Sequence, residues 1–422
     1  MTTETIDTSP TAWFQEMTPP ERRTFWACFA GWGLDAFDAQ ILGLMLPTIL
    51  GVFSLTLAEG GGIVTATLLC SAVGGWAAGL LADRIGRVRT LQLTILWFSV
   101  FTFISGFAQT YEQLVIARAL MGFGMGGEWA AGAVLMGEMI RPQYRGRAVG
   151  TVQSGWSVGW AAAVLVQTLL FALFDPAVAW RYVFFIGVLP ALAVFVIRRF
   201  VKEPPVFEET RRRIEATGDR PSFFEIFSPS VIRTTILTAL LATGAQGGYY
   251  AVTSWLPKFL SDTRGLKLLD ASGNLFVVIA GSFAGYLAGA YLADRLGRRP
   301  LFFIFSLGAI ATVYVYTSVD LGYTAMLILG FPLGFFGSGY FSGVGAFLTE
   351  LFPSRIRGSG QGFSYNFGRG IGALFPFLTG ALGGIIPLGQ AIGIFAIGAY
   401  ALMFVAAVFL PETKGKALHA DG

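Results

Sequence analysis

Asp35 and Asp38 stand one helical turn apart in an apolar stretch, and Arg118, Glu128 and Arg369 interrupt others. A charge near the middle of a membrane-spanning helix costs about 2.5 to 3.5 kcal/mol on insertion scales, so each is expected to face a protein interior, a water path or a counter-ion. Two carboxylates this close in a low dielectric oppose each other's ionisation, so one can hold a proton near neutral pH and release it when a cation approaches. That is the chemistry of a proton carrier, and Glu128, well inside its own helix, is a further candidate. Arg118 and Glu128 are ten residues apart, about 280° around a helix, so they do not pair within it. Asp38 is the expected partner of Arg118, and a fixed ion pair there is the structural alternative to a relay.

Arg369 suits an anion. A guanidinium stays charged at physiological pH and grips a carboxylate through two parallel hydrogen bonds. Around it in the sequence, Tyr365 and Asn366, with Gln246, Tyr249, Tyr250 and Tyr340, put polar tips on apolar helices and could line a selective pocket. The competing reading is a buried ion pair for Arg369 and interhelical hydrogen bonds for the others. Trp32 and Phe37 could meet an aromatic ring, with packing as the default.

These residues need long apolar elements to hold them. Of 422 residues, 54% are hydrophobic and 13% charged, too apolar for a soluble domain. Apolar stretches near 25–52, 62–82, 90–108, 113–137, 146–173, 178–200, 231–260, 272–293, 300–318, 322–349, 357–384 and 388–410 predict an all-α integral membrane protein with twelve transmembrane helices. The polar start lacks the layout of a cleavable signal, so the first stretch is expected to remain as a span. With the N-terminus inside, 23 of the 29 Lys and Arg fall in cytoplasmic segments and four in the opposite loops, which puts both termini in the cytoplasm. The expected organisation is a tail at 1–24, a six-helix bundle at 25–200, a cytoplasmic linker at 201–230, a second bundle at 231–411 and a tail at 412–422.

Several function classes drop out. Cys28 and Cys70 lie in apolar runs and the single histidine, His419, is the fourth residue from the end, so a disulfide framework, a zinc site and histidine catalysis have nothing to build on. No nucleophile and base cluster emerges, and no catalytic residue, metal or cofactor is expected. The net charge of +4 is distributed between apolar segments, which fits a lipid-facing surface rather than nucleic acid. Gly122-x-Gly124-x-x-Gly127 matches a dinucleotide fingerprint in form only, because no strand precedes it. With Gly155, Gly159, Gly368 and Gly372 it is expected to serve close helix packing.

The sequence also repeats. Leu81-Ala-Asp-Arg-Ile-Gly-Arg87 recurs 211 residues later as Leu292-Ala-Asp-Arg-Leu-Gly-Arg298, and Glu138 with Arg145-Gly146 recurs as Glu350 with Arg357-Gly358. A duplicated six-helix unit follows. Asp83, Arg84, Arg87, Asp294, Arg295, Arg298, Glu138, Arg145, Glu350 and Arg357 gather at cytoplasmic helix ends, where they could act as gates; capping and topology are the plainer roles.

Gly79-Leu-Leu-Ala-Asp-Arg-Ile-Gly-Arg-Val-Arg89, with Arg118 followed by Gly122 and Gly124, resembles the signatures of the major facilitator superfamily across essentially the whole chain. Val88 stands where that family commonly has a basic residue, and Gly289 is displaced by one position in the second copy. Leu34-Asp-Ala-Phe-Asp38 and Gly126-Gly-Glu-Trp129 resemble its organic-anion proton symporters, of the lactate/sialate and aromatic-acid types, while Pro411-Glu-Thr-Lys-Gly415 also occurs in sugar porters. The resemblance implies a secondary transporter of the bacterial inner membrane, able to function as a monomer, whose partners are a small organic anion, a proton and the lipid bilayer. The readings it competes with are a carrier of neutral sugars or hydrophobic compounds and a receptor that binds solute without moving it.

Overall fold

The computed structural model describes residues 12–139, 145–189, 191–192, 223–353 and 356–414. After a single turn at Ala12–Gln15, the described residues form twelve helical rods. They are α1 (Pro19–Val52), α2 (Leu57–Ile85), α3 (Arg87–Ser105), α4 (Tyr111–Met139), α5 (Arg145–Gln153 and Gly155–Leu173) and α6 (Pro176–Ile186), then α7 (Ile232–Thr253), α8 (Leu268–Leu296), α9 (Arg298–Ser318), α10 (Tyr323–Ser338 and Phe341–Leu351), α11 (Arg357–Gly372 and Leu374–Gly383) and α12 (Leu388–Phe409). Among the described residues, α1, α2, α3, α5, α8, α9, α10 and α12 are long and apolar enough to cross a membrane. The other rods include α4, α7 and α11, which carry the polar groups taken up below. Most of the expected linker, residues 1–11 of the expected tail at 1–24 and residues 415–422 of that at 412–422 lie outside the described residues, and α1 begins within the first of these tails, at Pro19. At the linker's end Phe223–Phe227 forms a 3-10 turn, and the Thr235 hydroxyl donates to the Ile226 carbonyl at 2.7 Å.

Local chemistry fixes several helix ends. Thr18 and Glu21 form a capping box at the start of α1, with Pro19 in its first turn, and Thr56 and Glu59 do the same for α2. The two motif copies turn alike: Gly86 between α2 and α3 has φ 106° and Gly297 between α8 and α9 has φ 113°. Side chains avoid that region, so glycine recurs 211 residues on for a backbone reason.

Packing repeats the duplication. α2 lies on α4 and α1 on α5 in the first half, as α8 lies on α10 and α7 on α11 in the second. A Cβ on Gly126 would stand 1.8 Å from the Ser71 carbonyl oxygen, and one on Gly334 1.8 Å from that of Val278. Of the dinucleotide-like glycines, Gly122 leaves a Cβ only 2.0 Å from the Thr67 carbonyl oxygen of α2 and Gly124 faces the backbone of α3 at Phe98, so they serve helix contact.

The two halves meet along α2 with α11, α5 with α8, and α1 with the short turn Leu256–Lys258 that follows α7. On the first seam, Thr65 Oγ1 donates to the Ala373 carbonyl at 2.6 Å, and Trp76 stacks on Phe363 with centroids 6.3 Å apart. On the second, Ser157 donates to Ser282 at 3.0 Å, and the Thr168 and Ser272 hydroxyls share a bond of 2.8 Å. At the arginine-rich end, buried Trp13 reaches across the junction and its Nε1 donates to Tyr291 Oη of α8 at 3.2 Å. Arg147 of α5 lies over the same tyrosine ring.

Candidate solute-binding site

Arg369 lies on α11 one turn before the helix breaks at Ala373, and it is 4% exposed. Its Nη1 donates to Ser71 Oγ of α2 at 2.9 Å, across the junction. Its Nε and Nη2 make longer contacts, 3.4 Å to Gln246 Oε1 of α7 and 3.5 Å to Tyr365 Oη. The guanidinium also lies over the Tyr365 ring. These three partners are neutral, and Asp35 of α1 is the carboxylate that interacts with Arg369 through space. A cation so placed has only modest hydrogen bonds to give up to a carboxylate, a stronger acceptor.

The two aspartates of α1 face different halves. Asp35 interacts electrostatically with Arg369 and Tyr250 of the second half. Asp38, fully buried, interacts with Arg118 inside the first half, where Arg118 Nη2 donates to the Asp38 backbone carbonyl at 3.3 Å. Among the described residues, Oδ1 of Asp35, both carboxylate oxygens of Asp38, and Nε and Nη1 of Arg118 have no hydrogen-bond partner. Gly187 makes room beside Asp38, since a Cβ there would come within 2.8 Å of Oδ1. The expectation from sequence that Asp38 neighbours Arg118 agrees with this geometry, though the contact runs through the backbone oxygen. The aspartates thus form a buried chain of charge from Arg369 to Arg118.

The other expected lining residues divide. Gln246 Nε2 donates to the Tyr365 carbonyl at 2.9 Å, and Tyr250 Oη donates to Gln246 Oε1 at 3.3 Å, so both belong with Arg369. Asn366 approaches α2 so closely that a Cβ on Gly75 would stand 2.4 Å from its Oδ1. Tyr249 Oη accepts from Gln40 Nε2 at 3.0 Å and from Trp156 Nε1 at 2.6 Å, two donors from the first half. Tyr340 is apart: its hydroxyl donates to the Ala245 carbonyl at 2.8 Å and its ring packs on Tyr400 within the second half. Ser71, Gln40 and Trp156 do not stand out in the sequence. A serine or glutamine in an apolar helix is the faint signal that could have found the first two.

A cavity of about 20 Å³ lies at the junction, lined by Trp160 of the first half and by residues including Tyr249, Thr253, Leu256, Ser338 and Tyr400 of the second. That is room for about one water molecule; Arg369 lies outside this lining and is closed over by its own burial and its bond to Ser71 across the junction.

Of the expected gate residues, the side chains of Asp83, Arg84, Arg87, Glu138 and Arg145 lie outside the described residues, as does that of Glu128. In the second half Arg298 bonds Glu350 through two nitrogens, at 3.1 and 2.8 Å, and Asp294 at 2.8 Å. Glu350 also accepts from the Thr413 hydroxyl, and the Arg357 Nε donates to the Thr349 carbonyl. Glu412 accepts from the backbone N–H groups of Arg298 and Arg299 at the start of α9, and Lys414 Nζ donates to the Arg295 carbonyl. Among the described residues this network binds the tail motif to the α8–α9 turn of the second half. Partial burial pushes the Glu412 carboxyl up, but the N–H groups of Arg298, Arg299, Lys414 and Thr413 outweigh it and hold the carboxyl below the ordinary glutamate range.

Comparison with known proteins agrees with the architecture. Residues 28–291 and 276–421 match the model of the Major Facilitator Superfamily. The chain is 43% identical to a probable 4-methylmuconolactone transporter of Cupriavidus pinatubonensis, over 97% of this chain and 95% of that protein. It is 34% identical to a cis,cis-muconate transport protein of Acinetobacter baylyi, over 84% and 86% of the two chains. Among solved structures, a proton:xylose symporter bound to 6-bromo-6-deoxy-D-glucose superposes with a TM-score of 0.75 at 20% identity, covering 94% of this chain and 98% of that one, which is a likeness of fold.

Proposed function

The chain belongs to the Major Facilitator Superfamily, a family of membrane transporters, and on that premise we propose that it carries a small organic acid together with a proton by alternating access. It is a multi-pass membrane protein and a transporter rather than an enzyme. The observation that carries the proposal is Arg369, a buried cation on the seam between the halves, bonded to Ser71 of the opposite half and within electrostatic range of Asp35.

In this reading the solute carboxylate takes the place of Ser71 and Gln246 on the guanidinium, where two parallel bonds favour it over a neutral group. Tyr365, Tyr250, Asn366 and Tyr249 line its path. The proton rides on Asp35 and Asp38, with Arg118 as the cation that draws negative charge back onto Asp38 and Glu128 as a further member of the relay. A loaded carrier with its acid neutralised crosses the closed arrangement at lower cost than one with an uncompensated buried charge. The rocking bodies are 25–200 and 231–411, joined by the linker at 201–230. Asp83, Arg84, Arg87, Glu138 and Arg145, with Asp294, Arg295, Arg298, Glu350 and Arg357, brace the inner ends. The protein works as a monomer in the inner membrane, with both termini in the cytoplasm. Relatives named for 4-methylmuconolactone and cis,cis-muconate support an organic acid as the cargo.

The test is uptake into proteoliposomes holding the purified chain. Acid outside should accelerate accumulation of cis,cis-muconate, and carboxylates should compete where matching neutral alcohols do not. Uptake indifferent to the gradient removes the proton, competition by the alcohols removes the carboxylate, and absence of counterflow removes transport.

A further inference from the structure

Trp32 precedes Asp35 by three residues on α1, so the two share a face of that helix about 5 Å apart along its axis. Its ring packs on Trp156 of α5 with centroids 5.0 Å apart, and Trp156 in turn contacts Tyr249 of α7, on the seam between the halves. The two indoles differ in one respect. Trp156 gives its N–H to Tyr249 at 2.6 Å, whereas the N–H of Trp32, a side chain only 7% exposed, has no acceptor among the described residues. The neighbouring carboxylate oxygen, Asp35 Oδ1, likewise has no donor among them.

A buried donor without an acceptor carries the cost of leaving water, and each such group calls for an explanation of its own. Packing alone explains an aromatic ring at position 32 and would be served as well by phenylalanine. It does not explain an unmatched N–H one helical turn from Asp35, the carboxylate that interacts with the guanidinium already assigned to the solute. Resting on the carboxylate reading above, we propose that Trp32 selects a bifunctional acid: Arg369 takes one carboxylate, and the Trp32 N–H takes a second oxygen acceptor on the same short framework, such as a second carboxylate or a lactone carbonyl. The tilted rings of Trp32 and Trp156 cover the carbon skeleton between them. A monocarboxylate of the same length satisfies Arg369 and leaves the indole N–H unmatched, so it binds less tightly.

The experiment compares dissociation constants of the purified full-length chain for cis,cis-muconate and for the hexa-2,4-dienoate of the same double-bond geometry, which lacks the second carboxylate. The native protein should prefer the diacid by about tenfold or more, the range of one well-placed hydrogen bond to a charged acceptor. Trp32→Phe keeps a ring against Trp156 and should weaken the diacid by about tenfold while leaving the monoacid within about twofold. Trp180→Phe, which removes another buried indole N–H without a partner among the described residues, on α6 against Phe53 and Phe184, should leave the ratio unchanged. Equal affinity of the native protein for the two acids, or equal loss of both in Trp32→Phe, overturns the role of Trp32 and leaves the carboxylate reading standing. If neither acid binds the native protein, it is the carboxylate reading that fails.

Discussion

Ser71 of α2 and Arg369 of α11 meet at 2.9 Å, joining the two halves at the depth where α11 breaks. This bond belongs to the closed arrangement, and a solute carboxylate competes with it for Nη1. Arg369→Gln should lower carboxylate affinity by about a hundredfold, since a charge-assisted bidentate contact is lost. Ser71→Ala should do the opposite. It takes about 1 kcal/mol from the closed arrangement alone, so apparent affinity should rise about fivefold. Titration calorimetry on the purified variants reads both.

Asp38 has no bonded partner for either carboxylate oxygen among the described residues and answers to Arg118 inside the first half. Asp38→Asn should abolish stimulation of uptake by acid outside, because the amide cannot shuttle a proton, while solute exchange across the membrane continues. Uptake driven by an imposed gradient and counterflow, measured on the same proteoliposomes, separate the two effects. Gradient-driven uptake at the native rate would exclude Asp38 from coupling.

Glu412 supplies a pH dependence outside the spans. Its carboxyl is held below the ordinary value of 4.5 by backbone N–H groups, so the folded state binds the charged form more strongly than the unfolded chain does. The stabilisation is complete above pH 4.5 and is lost as pH falls through the lower folded value. Glu412→Gln should melt at a lower temperature than the native protein at neutral pH, and the gap should narrow below that point. Thermal melts in detergent across the acid range measure it.

Glycines at the seam and glycines inside a half should respond differently to a methyl group. A Cβ at Gly61 would stand 2.4 Å from the Pro376 carbonyl oxygen, across the junction, whereas one at Gly122 would stand 2.0 Å from that of Thr67, within the first half. Backbone cannot yield as a side chain does. Gly61→Ala should therefore hold the seam ajar with little change in melting temperature, whereas Gly122→Ala should lower the melting temperature. Reagent access to a cysteine introduced near Pro376, set beside the melts, distinguishes the two.

The helices were legible because hydropathy acts locally, but their first turns were not: the apolar stretches begin near 25 and 62, whereas α1 and α2 begin at Pro19 and Leu57, behind the polar capping pairs Thr18 with Glu21 and Thr56 with Glu59. The duplication was legible because Gly86 and Gly297 answer one backbone demand twice. Arg369 could be selected on cost alone, since a buried cation requires a reason. Its partner could not. A serine in an apolar helix ordinarily bonds its own backbone, and nothing local tells that Ser71 lies opposite Arg369 in the other half. Tyr340 shows the reverse. Its phenol suggested the solute path, yet α10 breaks beside it and turns the hydroxyl to the Ala245 carbonyl. The face a residue presents on a helix apolar all round is settled by packing.

Trp13 finds Tyr291 across 278 residues of chain. During synthesis, Trp13 must therefore wait for α8 before its tether has an anchor. A first half made alone cannot form that tether, and two halves expressed from separate messages should regain it only once they assemble.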